Sequence, residues 1–243
     1  MSYPGGKDGS GVWQRIVNEL PPHEVFISAF LGDCAVLRRK KPAAWNIGID
    51  VDDSVVRRFA GSASLELERV LDLYVDDAVS WLRRAFDLDR LGSYWRGMDA
   101  CGRFGVGPEK IVVYVDPPYL ASSRKSERRV YRYELGEVEH TALLRCLKDL
   151  PVLVVVHHYP CEMYDEALSG WRSFEYAAMT RGGLATEKVW LNFGKAKVLH
   201  DVRWLGADKR VREKLTRRRK NLMRRLRSLP EEERQSILSE LVG

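Results

Sequence analysis

Val112-Val113-Tyr114-Val115-Asp116-Pro117-Pro118-Tyr119 decides the fold of this 243-residue chain. Its four leading apolar residues, mostly β-branched, predict a buried parallel strand. The strand must stop at a carboxylate followed by two prolines, which cannot donate to a ladder and hold φ near about −65°. A carboxylate, rigid backbone carbonyls and an aromatic ring are thereby set together at a strand's carboxyl end. Open α/β sheets bind their ligands at that end.

Upstream, Val25 to Leu31 reads as a strand, and Gly32 permits a tight turn into a helix, the context a nucleotide-binding loop needs. Ala44 to Val51 reads as a second strand ending in Asp50-Val51-Asp52-Asp53. An acid there, about 20 residues beyond the glycine turn, occupies the ribose-binding position of Rossmann-like folds. Asp50 is the candidate, and Asp52 or Asp53 is expected to cap the helix beginning at Ser54. Val70 to Val75 predicts a third strand running into Asp76-Asp77, where a helix cap is one reading. Arg38-Arg39-Lys40-Lys41 reads as a solvated helix end.

Downstream, residues 138–150 predict an amphipathic helix, and Pro151 to Val156 a buried strand. His157 and His158 follow. Neighbours on a strand face opposite sides, and no Cys/His/Asp constellation accompanies them, so no metal site is expected. Residues 162–168 read as a helix. Trp171 to Tyr176 and Thr186 to Phe193, joined by Gly182-Gly183, read as an antiparallel hairpin closing the sheet. The expected fold is an α/β Rossmann-like sheet with helices on both faces, spanning residues 1–202. A basic helical extension, residues 203–243, completes the chain.

The composition is 45% hydrophobic and 30% charged, with net charge +6. No apolar run approaches the roughly 20 residues of a membrane span, so no membrane role is expected. The opening Met-Ser-Tyr-Pro-Gly-Gly-Lys has no apolar signal core. Cys34, Cys101, Cys146 and Cys161 form no Cys-x-x-Cys pair, which fits neither zinc nor a disulfide framework and suits a reducing cytoplasm. Basic charge is uneven. Residues 120–134 hold five basic residues and two tyrosines, including Arg124, Lys125, Arg128 and Arg129. From Arg203 to Arg227 twelve basic residues, among them Arg217, Arg218 and Arg219, face only Asp208 and Glu213. Leu205, Val211, Leu215, Leu222 and Leu226 add a helical apolar stripe. Phosphate contact is the leading reading of both segments, with an oligomerising helical hairpin the alternative for the second. Residues 87–110, with Arg90, Tyr94, Trp95, Arg96 and Arg103, read as an irregular insertion suited to phosphate contact and stacking.

Asp116-Pro117-Pro118-Tyr119 resembles the Asp-Pro-Pro-Tyr motif of the amino-methyltransferases that use S-adenosylmethionine. The order of motifs from Tyr3 to Phe193 is similar to that of the Dam-type (alpha-class) DNA adenine N6-methyltransferases. Tyr3-Pro4-Gly5-Gly6-Lys7 is similar to their Tyr/Trp-x-Gly-Gly-Lys opening. Phe30 and Gly32 match their Phe-x-Gly loop, whereas Ser28-Ala29 and Cys34 depart from it. Thr186 to Asn192 resembles phage and prophage members.

The resemblance implies that Tyr3, Gly6, Lys7, Phe30, Gly32, Asp50 and Asp77 (or Asp76) hold S-adenosylmethionine. It implies that Asp116 and the Pro117 carbonyl accept the adenine N–H groups, that Pro118 stiffens the turn, and that Tyr119 stacks on a flipped base. It places target recognition within residues 87–110. The expected partner is duplex DNA. Cytosine N4 or RNA adenine as the target, and a catalytically degenerate DNA-binding domain, remain open alternatives.

Overall fold

The computed structural model describes residues 11–88, 104–124, 129–180 and 183–242. A seven-stranded sheet lies at its centre, in the order β3-β2-β1-β4-β5-β7-β6. Its strands are β1 (Val25–Ala29), β2 (Trp45–Asp50), β3 (Leu71–Val75), β4 (Ile111–Val115), β5 (Leu153–His158), β6 (Arg172–Thr180) and β7 (Gly183–Leu191). The first five are mutually parallel, and the β6–β7 hairpin adds antiparallel to β5. This is the doubly wound Rossmann-like arrangement expected. The chain winds outward from β1 to β3, then returns to lay β4 on the other side of β1. Ligands bind at such a switch point.

Both sheet faces are covered, so the central strands read as continuous apolar runs. On one face Val25, Ile27, Val113 and Val115 pack against α5 (Ala78–Ala85), α6 (Glu137–Asp149) and α7 (Glu162–Ala167) through Trp81, Leu82, Leu143, Leu147 and Tyr164. On the other, Phe26, Val112 and Tyr114 meet α1 (Val12–Val17) and α2 (Ala35–Arg39), with Phe59 of α3 (Asp53–Ala60) and Leu67 of α4 (Leu65–Glu68). Each fully buried Val, Leu or Phe contributes about 1.5–3 kcal/mol by leaving water. The helices start where the sequence provides caps. Asp52 accepts from the Ser54 N–H at 2.9 Å, and Asp77 from the Ser80 N–H at 2.8 Å. The Glu139 carboxylate reaches back to the Gly136 N–H at 3.0 Å.

Three expectations need correction. β1 ends at Ala29 rather than Leu31, because Phe30 turns to φ 62° and leaves the extended region. The hairpin strands begin and end differently from 171–176 and 186–193, since the ladder runs from Arg172↔Leu191 to Thr180↔Gly183. The run at 38–41 does end α2, with Arg39 and Lys41 exposed, but it is not solvated throughout. Arg38 pairs with Asp33 at 2.6 Å, and Lys40 is 2% exposed. The Lys40 ammonium donates to Asn46 Oδ1 at 3.2 Å and the Lys41 carbonyl at 3.1 Å, and sits 4.3 Å above the Phe26 ring. Burial lowers its pKa to about 7.

The basic extension forms α8 (Lys209–Arg227) and α9 (Glu231–Val242). Asp208 caps α8, accepting from the Val211 N–H at 2.9 Å, and no residue of α8 is buried. The preceding segment docks on the sheet domain. Asn18 donates to the Trp204 carbonyl at 3.0 Å, Trp13 meets Trp204 edge-on at 4.7 Å, and the Lys41 N–H donates to Asp201 at 2.8 Å. No helix among the described residues is long and apolar enough to cross a membrane.

Candidate active site

The register sets Ala29 of β1 beside Val115 of β4. The residues that follow each strand, Phe30 to Gly32 and Asp116 to Pro118, therefore meet at the switch point. Phe30, Gly32 and Asp116 to Pro118 line a cavity of about 470 Å³ together with Asp50, Asp52, Asp77 and a strap of residues 130–135. The size fits a small-molecule site, and the lining mixes apolar side chains with many charged ones.

The first wall is the turn after β1. Phe30 holds a left-handed φ of 62° and Gly32 one of 50°, a region costly for a bulky residue and open to glycine. Two bonds fix the turn against β2: the Leu31 N–H to the Ile49 carbonyl at 2.7 Å, and the Gly32 N–H to Asp50 Oδ2 at 2.9 Å. Asp50 Oδ1 also accepts from the Asp52 N–H at 2.9 Å. Burial raises the Asp50 pKa, with these two N–H groups opposing the rise. A carboxylate has about four acceptor sites, so two stay available for a ligand's hydroxyls. Asp77 caps α5 and also lines the cavity. Asp76 instead pairs with Arg84.

The second wall is Asp116-Pro117-Pro118, with the Asp116 side chain 17% exposed. Tyr119 does not join it. It is 4% exposed and packs on Tyr159 and His158 with ring centroids 4.5 and 4.8 Å away. A ring so enclosed cannot also stack on an extruded base. The aromatic groups that do line the cavity are Phe30, Tyr131 and Tyr133.

The third wall is the strap. Arg124, expected on phosphate, is the strap's anchor. Its Nε donates to the Tyr119 carbonyl at 2.6 Å, and its guanidinium forks onto both oxygens of Glu134, one at 3.1 Å. Only 8% of its side chain is exposed, so it has little surface for a nucleic acid. Glu134 also accepts from the Val130 and Tyr131 N–H groups at 2.7 and 3.0 Å. Desolvation pushes the Glu134 pKa up, but these hydrogen bonds outweigh it and the net shift is downward. Arg132 reaches Asp52 across the cavity mouth at 3.4 Å. Arg129 is exposed and donates to the Tyr131 carbonyl at 3.3 Å. The sequence held the cue to this wall in Arg124 and Glu134, ten residues apart, which a count of positive charge passes over.

The histidines have structural partners. His158 Nε2 accepts from the Leu120 N–H at 2.9 Å, and Nδ1 donates to the Tyr159 carbonyl at 2.8 Å. His140 Nδ1 meets the Tyr164 hydroxyl at 2.7 Å. His157, beside Asp116, lies among Tyr114, Tyr176 and Glu187. Among the described residues no group of three or more His, Cys, Asp or Glu side chains is arranged to hold a metal ion.

Arg217, Arg218 and Arg219 are exposed on α8. Between α8 and α1 a second cleft of about 530 Å³ is lined by Gln14, Trp204, Arg212, Arg217 and Lys220, among others. Tyr3, Gly6 and Lys7, the residues Arg90 to Arg103 of the expected recognition insertion, and Lys125 and Arg128 lie outside the described residues. Within that insertion's described part, Phe104 packs in the core against Phe86 and Trp45.

No family model matches the chain. No curated protein matches it either. Among solved structures it is similar to a SAM-dependent methyltransferase from Agrobacterium tumefaciens, at 13% identity and TM-score 0.44, over 74% of this chain and 60% of that one. An rRNA methylase from Streptococcus thermophilus is similar at 13% identity and TM-score 0.43, over 76% and 95% of the two chains. Magnesium protoporphyrin IX methyltransferase from Synechocystis, a structure with bound SAM, is similar at 12% identity and TM-score 0.42, over 74% and 75%.

Proposed function

We propose that the protein transfers a methyl group from S-adenosylmethionine to the exocyclic N6 amine of a flipped adenine in DNA. The observation that carries this reading is the single cavity in which the β1 turn, Asp50 and Asp77 face Asp116-Pro117-Pro118. The donor set fits that cofactor. Four carboxylates, those of Asp50, Asp52, Asp77 and Asp116, suit a sulfonium cation and ribose hydroxyls, and Gly32 lets backbone come close. Asp50 would hold the ribose, while Phe30 and Asp77 would flank the adenine. When bound, the cofactor supplies an electrophilic methyl group.

The chain's own residues then act on the amine. An adenine amino group is a poor nucleophile because its lone pair is delocalised into the ring. Donating one N–H to Asp116 and the other to the Pro117 carbonyl holds the nitrogen toward tetrahedral geometry and frees that pair. Pro118 stiffens the backbone that presents both acceptors. Positioning and fixed electrostatics supply most of the rate. An amine cannot reach a donor from within a base stack, so the base is extruded. Tyr131 and Tyr133 take the stacking role that the buried Tyr119 cannot. The exposed arginines of α8 hold phosphates without reading sequence.

The test is labelled methyl transfer to duplex DNA, single-stranded DNA, RNA and adenine-free DNA in parallel. Label in adenine-containing DNA alone supports the proposal. Label in RNA or in adenine-free DNA replaces it with the RNA adenine or cytosine N4 alternative. No label, from folded protein that binds DNA, supports the degenerate-domain reading.

A further inference from the structure

His157 is fully buried on β5, next in register to Asp116 at the end of β4. Four polar groups surround its ring. Glu187 Oε2 lies 3.0 Å and the Tyr176 hydroxyl 2.8 Å from Nε2. The Tyr114 hydroxyl lies 3.3 Å and Asp116 Oδ1 3.8 Å from Nδ1. The Tyr119 ring is edge-on at 6.3 Å. Tyr176 also donates to Glu187 at 3.1 Å. Glu187 itself is 4% exposed. A file of polar groups thus runs from the cavity, beneath the sheet's carboxyl end, to the closing hairpin.

The tautomer follows from the partners. An ionised carboxylate only accepts, so Glu187 takes the Nε2 proton. In a neutral imidazole Nδ1 is then unprotonated and accepts from the Tyr114 hydroxyl, with Asp116 beside it. Two acceptors share no proton, and the 3.8 Å between Nδ1 and Asp116 Oδ1 is too long for a hydrogen bond. A proton placed between them makes an ion pair. Closing the gap needs a movement of about 1 Å, as catalytic hydrogen bonds often tighten only in the reacting complex.

We propose that His157 is a proton relay acting through Asp116, a role that rests on the methyl-transfer reading above. The amine lone pair forms the new N–C bond. The S–C bond breaks, and its electron pair stays on sulfur as a neutral thioether. The nitrogen then carries one proton too many. That proton passes along its hydrogen bond to the Asp116 carboxylate and on to His157 Nδ1. The imidazolium rests between two carboxylates, Asp116 and Glu187. Since His157 has no contact with solvent, the proton leaves by way of Asp116 once product departs. His157 is therefore a positioning and relay residue, not one that touches substrate.

Two measurements test the relay. The first is the nitrogen NMR of imidazole-labelled protein without cofactor, with His157→Asn identifying the signal. A protonated Nε2 and bare Nδ1 are expected, with the preference lost in Glu187→Gln. A His157 protonated on Nδ1 overturns the relay. The second is single-turnover methyl transfer with its solvent deuterium isotope effect. His157→Asn and Glu187→Gln should bind cofactor within about threefold of wild type, yet transfer more slowly by on the order of 100-fold. Variants that match the wild-type rate and isotope effect overturn the relay while leaving the methyltransferase reading intact. A wild-type protein that methylates nothing overturns that reading, and the relay with it. Should His157→Asn not fold, His157→Gln identifies the signal, and the rate and isotope effect of Glu187→Gln still decide.

Discussion

At the scale of single residues, Lys40 shows how burial overrides a charge pattern. Four consecutive cations read as a solvated surface, but the third turns inward onto the Phe26 ring. Its pKa falls from 10.5 to about 7 because water is excluded from the ammonium. The unfolded chain therefore binds that proton more tightly than the folded one. Stability attributable to Lys40 must rise with pH across the window from about 7 to 10.5 and be lowest below it. Chemical denaturation at pH 6 and at pH 9 checks this. Wild type should gain stability over the interval, by on the order of a few kcal/mol, and Lys40→Met should lose most of that gain. Asp116 was legible from its sequence neighbours, since a carboxylate and two prolines after a β-branched run have few other places to be. The burial of Tyr119 and Lys40 was not, because it depends on His158, Tyr159 and Phe26, which approach from other strands.

At the scale of elements, the turn between β1 and α2 and the carboxylate ending β2 act as one unit. Asp50 holds the Gly32 N–H and so fixes the floor of the cavity. Asp50→Ala leaves two backbone N–H groups without that partner and should cost about 1–3 kcal/mol of stability, measured by denaturant titration. It should also weaken S-adenosylmethionine binding at least tenfold by calorimetry. Binding at wild-type strength would remove Asp50 from the site. The strands were predictable in place, because period and β-branching mark buried strands strongly. Their ends were less so, since a left-handed Phe30 has no sequence signal as clear as a glycine. The strap was missed as a wall. Its anchor is a salt bridge between Arg124 and Glu134, and composition alone made the same residues look like a phosphate contact.

At the scale of the whole molecule, charge and chemistry occupy different parts of the chain. The cavity lining holds six carboxylates against Arg58 and Arg132, whereas α8 carries eleven Lys and Arg residues against one acid, Glu213. Residues 200–204 are tied into the sheet domain by Asp201 and Trp204, so a chain ending at Gly206 should fold. We expect that truncated chain to keep cofactor binding but to bind DNA more weakly. Its log K against log salt slope should fall by about 0.9 for each phosphate that α8 no longer neutralises, read by fluorescence anisotropy across salt concentrations. An unchanged slope would assign α8 to another partner, a second copy of the chain included.

In the proposed reaction Asp116 presents an adenine amine to a methyl donor. This is tested most directly by digesting DNA to nucleosides after incubation with S-adenosylmethionine and either wild-type protein or Asp116→Asn. N6-methyladenine is expected with wild type and a loss of at least about 100-fold in the variant, with cofactor affinity retained. A digest without N6-methyladenine, or one in which the variant equals wild type, would contradict it.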